Sequence, residues 1–289
     1  MANWLQRLET AWSRRYVRSG AIRPTAGEGR KPVCVITGGS EGIGRHLAGE
    51  FAANGHRLLL IARSAGRLSE AAEELRQNYG ADVHTASIDL TAPDYKLKLS
   101  EVLDRHGLYV DILVNNAGIG LGGPFTDQEP ERILDLCRLN VEALTELTRA
   151  YLPPMLERAR GGVLNIASLG GLLPGPYQAA YYASKAYVVS LTEALAYENA
   201  GRGVRISAAI PGPVATRFHE RMGASNAFYL HLQRVLPPET AARIIYSGFM
   251  GRRTLIAPGL MASFNSFAVR LIPHAILTPF IGWFLKQRY

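Results

Sequence analysis

Val33-Cys34-Val35-Ile36-Thr37-Gly38-Gly39-Ser40-Glu41-Gly42-Ile43-Gly44 is the stretch that decides the fold. Four apolar residues run without a polar break and then give way to glycines. An unbroken apolar run is the pattern of a strand buried on both faces, as in a parallel sheet. The glycines permit a tight turn and a close backbone approach by a ligand. A helix is expected from about Gly42 to Asn54, ended by Gly55. Its N-terminus would present free N–H groups and a partial positive charge. The spacing is G-x-x-x-G-x-G, not the commoner G-x-G-x-x-G. On this stretch alone, a glycine-rich turn without a ligand stays open.

Outward from it, further buried strands are expected at 57–62, 83–88, 111–114, 162–167 and 204–210, with a seventh at 254–257. Helical patterns separate them, at 66–79, at 130–159 with a break at Pro153-Pro154, and at 180–200. Regular strand–helix alternation over some 220 residues predicts an α/β fold, a doubly wound parallel sheet of the Rossmann type in a single domain over 32–257. Residues 1–31 and 258–289 are amphipathic extensions.

Composition narrows the function. With 47% apolar and 19% charged residues, the chain can build a sizeable core and is no candidate for disorder. Cys34 and Cys137 lack metal-ligand spacing and read as reduced thiols of a cytoplasmic protein. The seven histidines form no cluster, so no metal site is expected. The net charge of +8 sits at the two ends. Residues 1–31 hold Arg7, Arg14, Arg15, Arg18, Arg23, Arg30 and Lys31 against Glu9 and Glu28. Residues 251–289 hold Arg252, Arg253, Arg270, Lys286 and Arg288 against no acidic residue. The body between is near neutral, which argues against a nucleic-acid partner.

Candidate chemistry lies after the fifth strand. Tyr181 and Lys185 are four apart and share a helix face. A free tyrosine titrates near ~10 and is poorly matched to neutral acid–base work, but a nearby ammonium lowers that value. Ser168 ends the preceding strand, where its hydroxyl can hydrogen-bond a substrate oxygen as charge develops. Tyr182 is three residues from Lys185 and competes geometrically with Tyr181, and Tyr177 reads equally as substrate wall or loop packing. The second strand ends at Ala62-Arg63-Ser64 with no acidic residue to bind ribose hydroxyls. Arg63 would face a 2′-phosphate instead, although Glu41 adds negative charge nearby.

These patterns in this order resemble the short-chain dehydrogenase/reductase family. The matches are T-G-x-x-x-G-x-G at Thr37–Gly44, N-N-A-G at 115–118, Asn140, Ser168, Y-x-A-S-K at Tyr181–Lys185, and P-G-x-V-x-T at Pro211, Gly212, Val214 and Thr216. The resemblance implies an NADP (NADPH) enzyme that reduces a ketone to a secondary alcohol or runs the reverse. It implies that Tyr181 donates the proton, Lys185 lowers the pKa of Tyr181 and binds the nicotinamide ribose, Ser168 orients the substrate oxygen, and Asn140 holds a water linked to Lys185. It places Gly38, Ser40, Gly42, Ile43 and Gly44 at the phosphates and Arg63 at the 2′-phosphate. Asp89 and Leu90 would contact adenine, Asn116, Ala117 and Gly118 would line the cofactor cleft, and Pro211, Gly212, Val214 and Thr216 would sit by the nicotinamide. A non-catalytic NADP-sensing or scaffold protein on the same fold is the alternative.

The ends bear on the substrate. Residues 217–236 are amphipathic and aromatic and read either as a lid or as a packed surface helix. The basic, apolar tail resembles the family branch of 3-oxoacyl, 3-ketosphinganine and 17β-hydroxysteroid reductases, which implies a lipophilic small-molecule substrate. Trp4, Trp12 and Trp283 beside arginines and lysines suit peripheral contact at the inner face of a membrane. The same faces suit the subunit contact of a homo-oligomer.

Overall fold

In the computed structural model, residues 29–223, 235–259 and 272–286 are described. The expected N-terminal amphipathic stretch at 3–18 lies outside them. Seven strands form one parallel sheet: β1 (Lys31–Thr37), β2 (Leu58–Ala62), β3 (Val83–Ser87), β4 (Leu108–Asn115), β5 (Gly162–Ile166), β6 (Arg205–Ala209) and β7 (Leu255–Ile256). Their order is β3-β2-β1-β4-β5-β6-β7. The chain winds outward in both directions from β1, so the crevice at the carboxyl ends of β1 and β4 is the topological switch point where such sheets bind ligands.

Alternate strand residues serve two cores. Cys34, Ile36, Leu58, Leu60, Ile112 and Val114 face one side. There they meet α1 (Gly42–Ala53), α2 (Ala65–Tyr79) and α8 (Pro238–Met250). Val33, Val35, Leu59, Ile61 and Leu113 face the other. That face is covered by α3 (Tyr95–Arg105), α5 (Leu144–Glu157) and the last turns of α6 (Ala179–Glu198). Every strand between the edges is thus buried on both sides, which is why each reads as an unbroken apolar run. Between Val33 and Cys34 the register with β4 slips by one residue, leaving Asp111 as the extra residue of a bulge. Asp111 is buried and paired with Arg160.

Helix ends follow local chemistry. Ser64 caps α2 by accepting from the Arg67 N–H, and Gly80 closes it in the left-handed region at φ 61°. One expectation needs correction. The helical run after Pro130 does not break at the proline pair, because α5 runs through Pro153 and Pro154 to Glu157. The prolines remove hydrogen bonds to the carbonyls of Arg149 and Ala150, and both residues are exposed, so water can serve them. The real irregularity lies earlier. After α4 (Pro130–Cys137) the helix widens into a π-turn over Arg138–Ala143, with Asn140 at its centre.

Candidate active site

The glycine turn is built by hydrogen bonds between the ends of β1 and β4. The Thr37 hydroxyl accepts from the N–H groups of Asn116 and Ala117, each at 3.0 Å. Asn116 Nδ2 donates back to the carbonyls of Thr37 at 2.9 Å and Gly38 at 3.1 Å. Gly38 and Gly42 both take positive φ, at 64° and 56°. A side chain at Gly44 would collide with Asn116 Nδ2 and the Gly38 carbonyl. Behind this turn a buried polar chain runs from Thr148 through Asn115 and Asn165 to Thr192, with links of 3.1, 2.9 and 2.9 Å. Asn165 and Thr192 carried no signal in the sequence.

A cavity of about 1640 Å³ opens over this crevice. Of the residues singled out from sequence, it is lined by Gly38, Ser40, Gly42, Ile43, Arg63, Asp89, Leu90, Asn116, Ala117, Gly118, Ser168, Tyr181, Lys185, Pro211, Gly212, Val214 and Thr216. Gly44 and Asn140 stand one layer behind. Gly44 packs the helix onto the turn, and Asn140 is buried beside Gly118. Asn140 accepts from the Ile119 N–H at 2.9 Å and donates to the Ile119 carbonyl at 2.8 Å and to Ser184 Oγ at 3.1 Å.

Lys185 is the electrostatic centre. It is buried, donates to the Ile166 carbonyl at 2.8 Å, and lies 5.8 Å from the centroid of the Tyr181 ring. Burial pushes its pKa down to about 8. Ser168 extends from the end of β5 and its Oγ accepts from the Gly170 N–H at 3.1 Å. Tyr182 is accounted for differently. Its ring packs so closely on Gly170 and Gly175 that neither could carry a side chain without displacing it. Tyr177 takes φ 65° and is not among the cavity-lining residues.

At the cavity's other end, Asp89 accepts from the Thr91 N–H and hydroxyl at 2.9 and 2.7 Å. Burial raises its pKa, but the Thr91 bonds and the Arg63 charge outweigh this and hold the carboxyl low. Glu41 is not the loose negative charge it seemed. It is bridged by Arg221 and, at 3.3 Å, by Arg67, and the Arg221 bond holds its pKa below the usual carboxylate range. Arg67 was overlooked in the sequence. Its signal is its place four residues after Arg63, in the first turn of α2.

Two elements wall the Tyr181 side. The short helix α7 (Phe218–Arg221) sets Phe218 5.5 Å from the Tyr181 ring, ring centre to ring centre. Met222 follows it and packs on Gly120. The rest of the expected lid, 224–234, lies outside the described residues. The C-terminal extension supplies α9 (His274–Leu285), whose Ile281, Phe284 and Leu285 line the cavity. Leu285 is buried in one cluster with Tyr181, Leu121, Leu136 and Met222.

A doubly wound sheet with a glycine cradle, a buried Tyr–Lys pair and a serine at one crevice defines a nicotinamide-dependent oxidoreductase site. A family model described as short chain dehydrogenase matches residues 32–227, and the chain belongs to that family. It is 37% identical over 231 residues to the granaticin polyketide synthase putative ketoacyl reductase 1 of Streptomyces violaceoruber, covering 79% of this chain and 83% of that one. It is 34% identical over 187 residues to the very-long-chain 3-oxoacyl-CoA reductase of Rattus norvegicus, which is 63% of this chain and 59% of that one. The match therefore spans only about three fifths of the rat protein. Similar solved structures include complexes with NADPH and with NAD. A short-chain dehydrogenase from Sphingobium yanoikuyae in complex with NADPH superposes with a TM-score of 0.75 at 32% identity, over 86% of this chain and 95% of that one.

The buried lysine yields a stability prediction. Below pH 8 the folded chain must hold a desolvated ammonium, and that penalty is fully present. It is relieved as pH rises from about 8 to 10.5, where the unfolded lysine still binds a proton and the folded one does not. In urea unfolding of cofactor-free protein, the native chain should therefore gain on Lys185→Met between pH 7.5 and 10, by up to about 3 kcal/mol. A pH-independent difference would show that burial does not perturb this lysine.

Proposed function

We propose that this chain is an NADPH-dependent reductase of a lipophilic, 3-oxoacyl-type ketone. The observation that carries it is the buried Lys185 ammonium 5.8 Å from the Tyr181 ring, with Ser168 lining the same cavity. In this reading Tyr181 gives its phenolic proton to the substrate oxygen. Lys185 favours the resulting phenolate by its charge, and Ser168 holds the same oxygen by a hydrogen bond as charge builds there. Asn140 fixes the wall behind Lys185 and, through its π-turn, the place for a water. The nicotinamide, when bound, supplies the hydride to the carbonyl carbon.

The residues present fit that cofactor. Gly38 and Gly42 leave no side chain over the turn, and a Cβ at Gly212 would meet nothing within 4 Å. Gly38, Ser40, Gly42 and Ile43 would hold the pyrophosphate at the α1 N-terminus, with Gly44 packing behind them. Asp89 and Leu90 would take the adenine, Asn116, Ala117 and Gly118 the cleft floor, and Pro211, Gly212, Val214 and Thr216 the nicotinamide end. Arg63, joined by Arg67, supports NADP over NAD, and Glu41, already held by two arginines, opposes a 2′-phosphate less than its charge suggests. Reduced NADP as cellular donor supports the reductive direction. The names of the two relatives support a 3-oxoacyl substrate. The reading as a non-catalytic sensor or scaffold gains no support from the comparisons.

Peripheral contact with an anionic lipid surface belongs to the same reading. Ile276, Phe280 and Trp283 share the outer side of α9 and are exposed at 66, 58 and 52%, and Ile272, just before the helix, is exposed at 39%. Lys286 follows, and residues 251–289 contain no acidic side chain. An apolar stripe with a tryptophan beside a cation suits the headgroup boundary. No helix among the described residues is long and apolar enough to cross a membrane.

Three measurements check these parts. Tyr181→Phe should cut kcat for ketone reduction by about 10²-fold or more while NADPH still binds, read by stopped assay and fluorescence titration. Arg63→Ala should raise the KM for NADPH by about tenfold and leave that for NADH nearly unchanged; equal effects on both cofactors would remove Arg63 from the 2′-phosphate. The protein should sediment with vesicles containing anionic lipid, and Phe280→Glu with Trp283→Glu should abolish this. If the double substitution instead splits a dimer and the parent binds no vesicle, the stripe is a subunit contact.

A further inference from the structure

Gln178 is the one buried polar side chain of the cavity wall whose position nothing above explains. It is only 5% exposed and lines the cavity beside Tyr181, Tyr182 and Leu173. Its backbone is fully used: its N–H donates to the Gly175 carbonyl at 3.0 Å and its carbonyl accepts from Tyr182 at 3.0 Å. Its carboxamide has no hydrogen-bond partner among the described residues. The residue stands at the N-cap of α6, yet its side chain makes no capping bond. That position favours the short side chains of Ser, Thr, Asp or Asn, which reach the first-turn N–H groups. A glutamine there is therefore not explained by the helix.

The carboxamide is open to the cavity with its hydrogen-bonding capacity unused, so a group that enters there can take it up. Gln178 stands just before α6, three residues ahead of Tyr181, and both line the same cavity. A substrate that met both would offer two oxygens close together. Resting on the ketoreductase reading above, the geometry points to Gln178 as the residue that recognises a second carbonyl, one methylene from the ketone that Tyr181 protonates. Its Nε2 amide hydrogen donates to the thioester or ester carbonyl oxygen of a 3-oxoacyl substrate. The reacting carbon is thereby distinguished from that of an isolated ketone of equal chain length. A site built to hydrogen-bond a substrate group discriminates against the analogue that lacks it, because the protein's own polar group then stays unmatched.

The test compares a 3-oxoacyl thioester with a monoketone of the same length, using the full chain and NADPH. Two variants are made. Gln178→Leu removes the amide, and Gln178→Glu keeps its shape but replaces the donor by a carboxylate, which guards against collapse of the wall. In both, the ratio of kcat/KM for the thioester to that for the monoketone should fall at least about tenfold. A merely structural role would lower both values together and leave the ratio where it was. An unchanged ratio in variants that still bind NADPH overturns the assignment of Gln178 and leaves the reductase reading intact. No turnover of either ketone by the unmodified protein overturns the reductase reading and this assignment with it. If both variants fail to fold, the unmodified protein decides: equal kcat/KM for the two substrates overturns the assignment, and a strong preference for the thioester supports it.

Discussion

The tie between the ends of β1 and β4 is the constraint on which the site depends. Thr37 and Asn116 exchange hydrogen bonds across the point where the sheet changes direction, each using side chain and backbone. Taken singly, such bonds contribute about 1 kcal/mol net. Their geometric effect is larger than that figure suggests. They hold the Gly38 turn against the Asn116 loop so closely that Gly44 has no room for a Cβ. The first turn of α1 is thereby aimed into the crevice, and the same loop carries Ala117 and Gly118 to the foot of Lys185. The glycine turn and the floor of the crevice beneath Lys185 are fixed by one set of contacts.

Lys185 shows what the fold accepts in return. A buried ammonium that donates to the Ile166 carbonyl is still under-solvated, and its depressed pKa reflects this. Its surroundings are rigid. Gly171 has no space for a side chain against the Lys185 backbone, and Asn140 closes the far wall with three hydrogen bonds of its own. Perturbed groups of this kind cluster where chemistry is done.

Local patterns made much of this legible, and distance hid the rest. Buried parallel strands announce themselves as apolar runs such as Leu58–Ile61, and the Tyr181–Lys185 spacing places two groups on one helix face by geometry alone. The proline pair at 153–154 misled because the cost of proline in a helix depends on whether the freed carbonyls reach water, which the sequence does not record. Asn140 gives no local sign of burial; only the π-turn and its packing on Gly118 do. Glu41 looked unfavourable for an anionic ligand until Arg221, 180 residues later, was found against it. Gln178 is silent in a string of letters, because what marks it is the lack of a partner.

The walls around Tyr181 follow a different logic from the crevice. The strand ends are held by ladders and bulk packing, whereas α7 and α9 come from segments outside the sheet. α9 in particular is apolar on two sides. Its Leu277, Ile281 and Leu285 face inward and its Ile276, Phe280 and Trp283 face outward, with Phe280 stacked on the cavity-lining Phe284 at 6.2 Å. A helix apolar all round is stable only when both sides are covered. Whatever covers the outer side therefore bears on the inner one through a single row of aromatic rings.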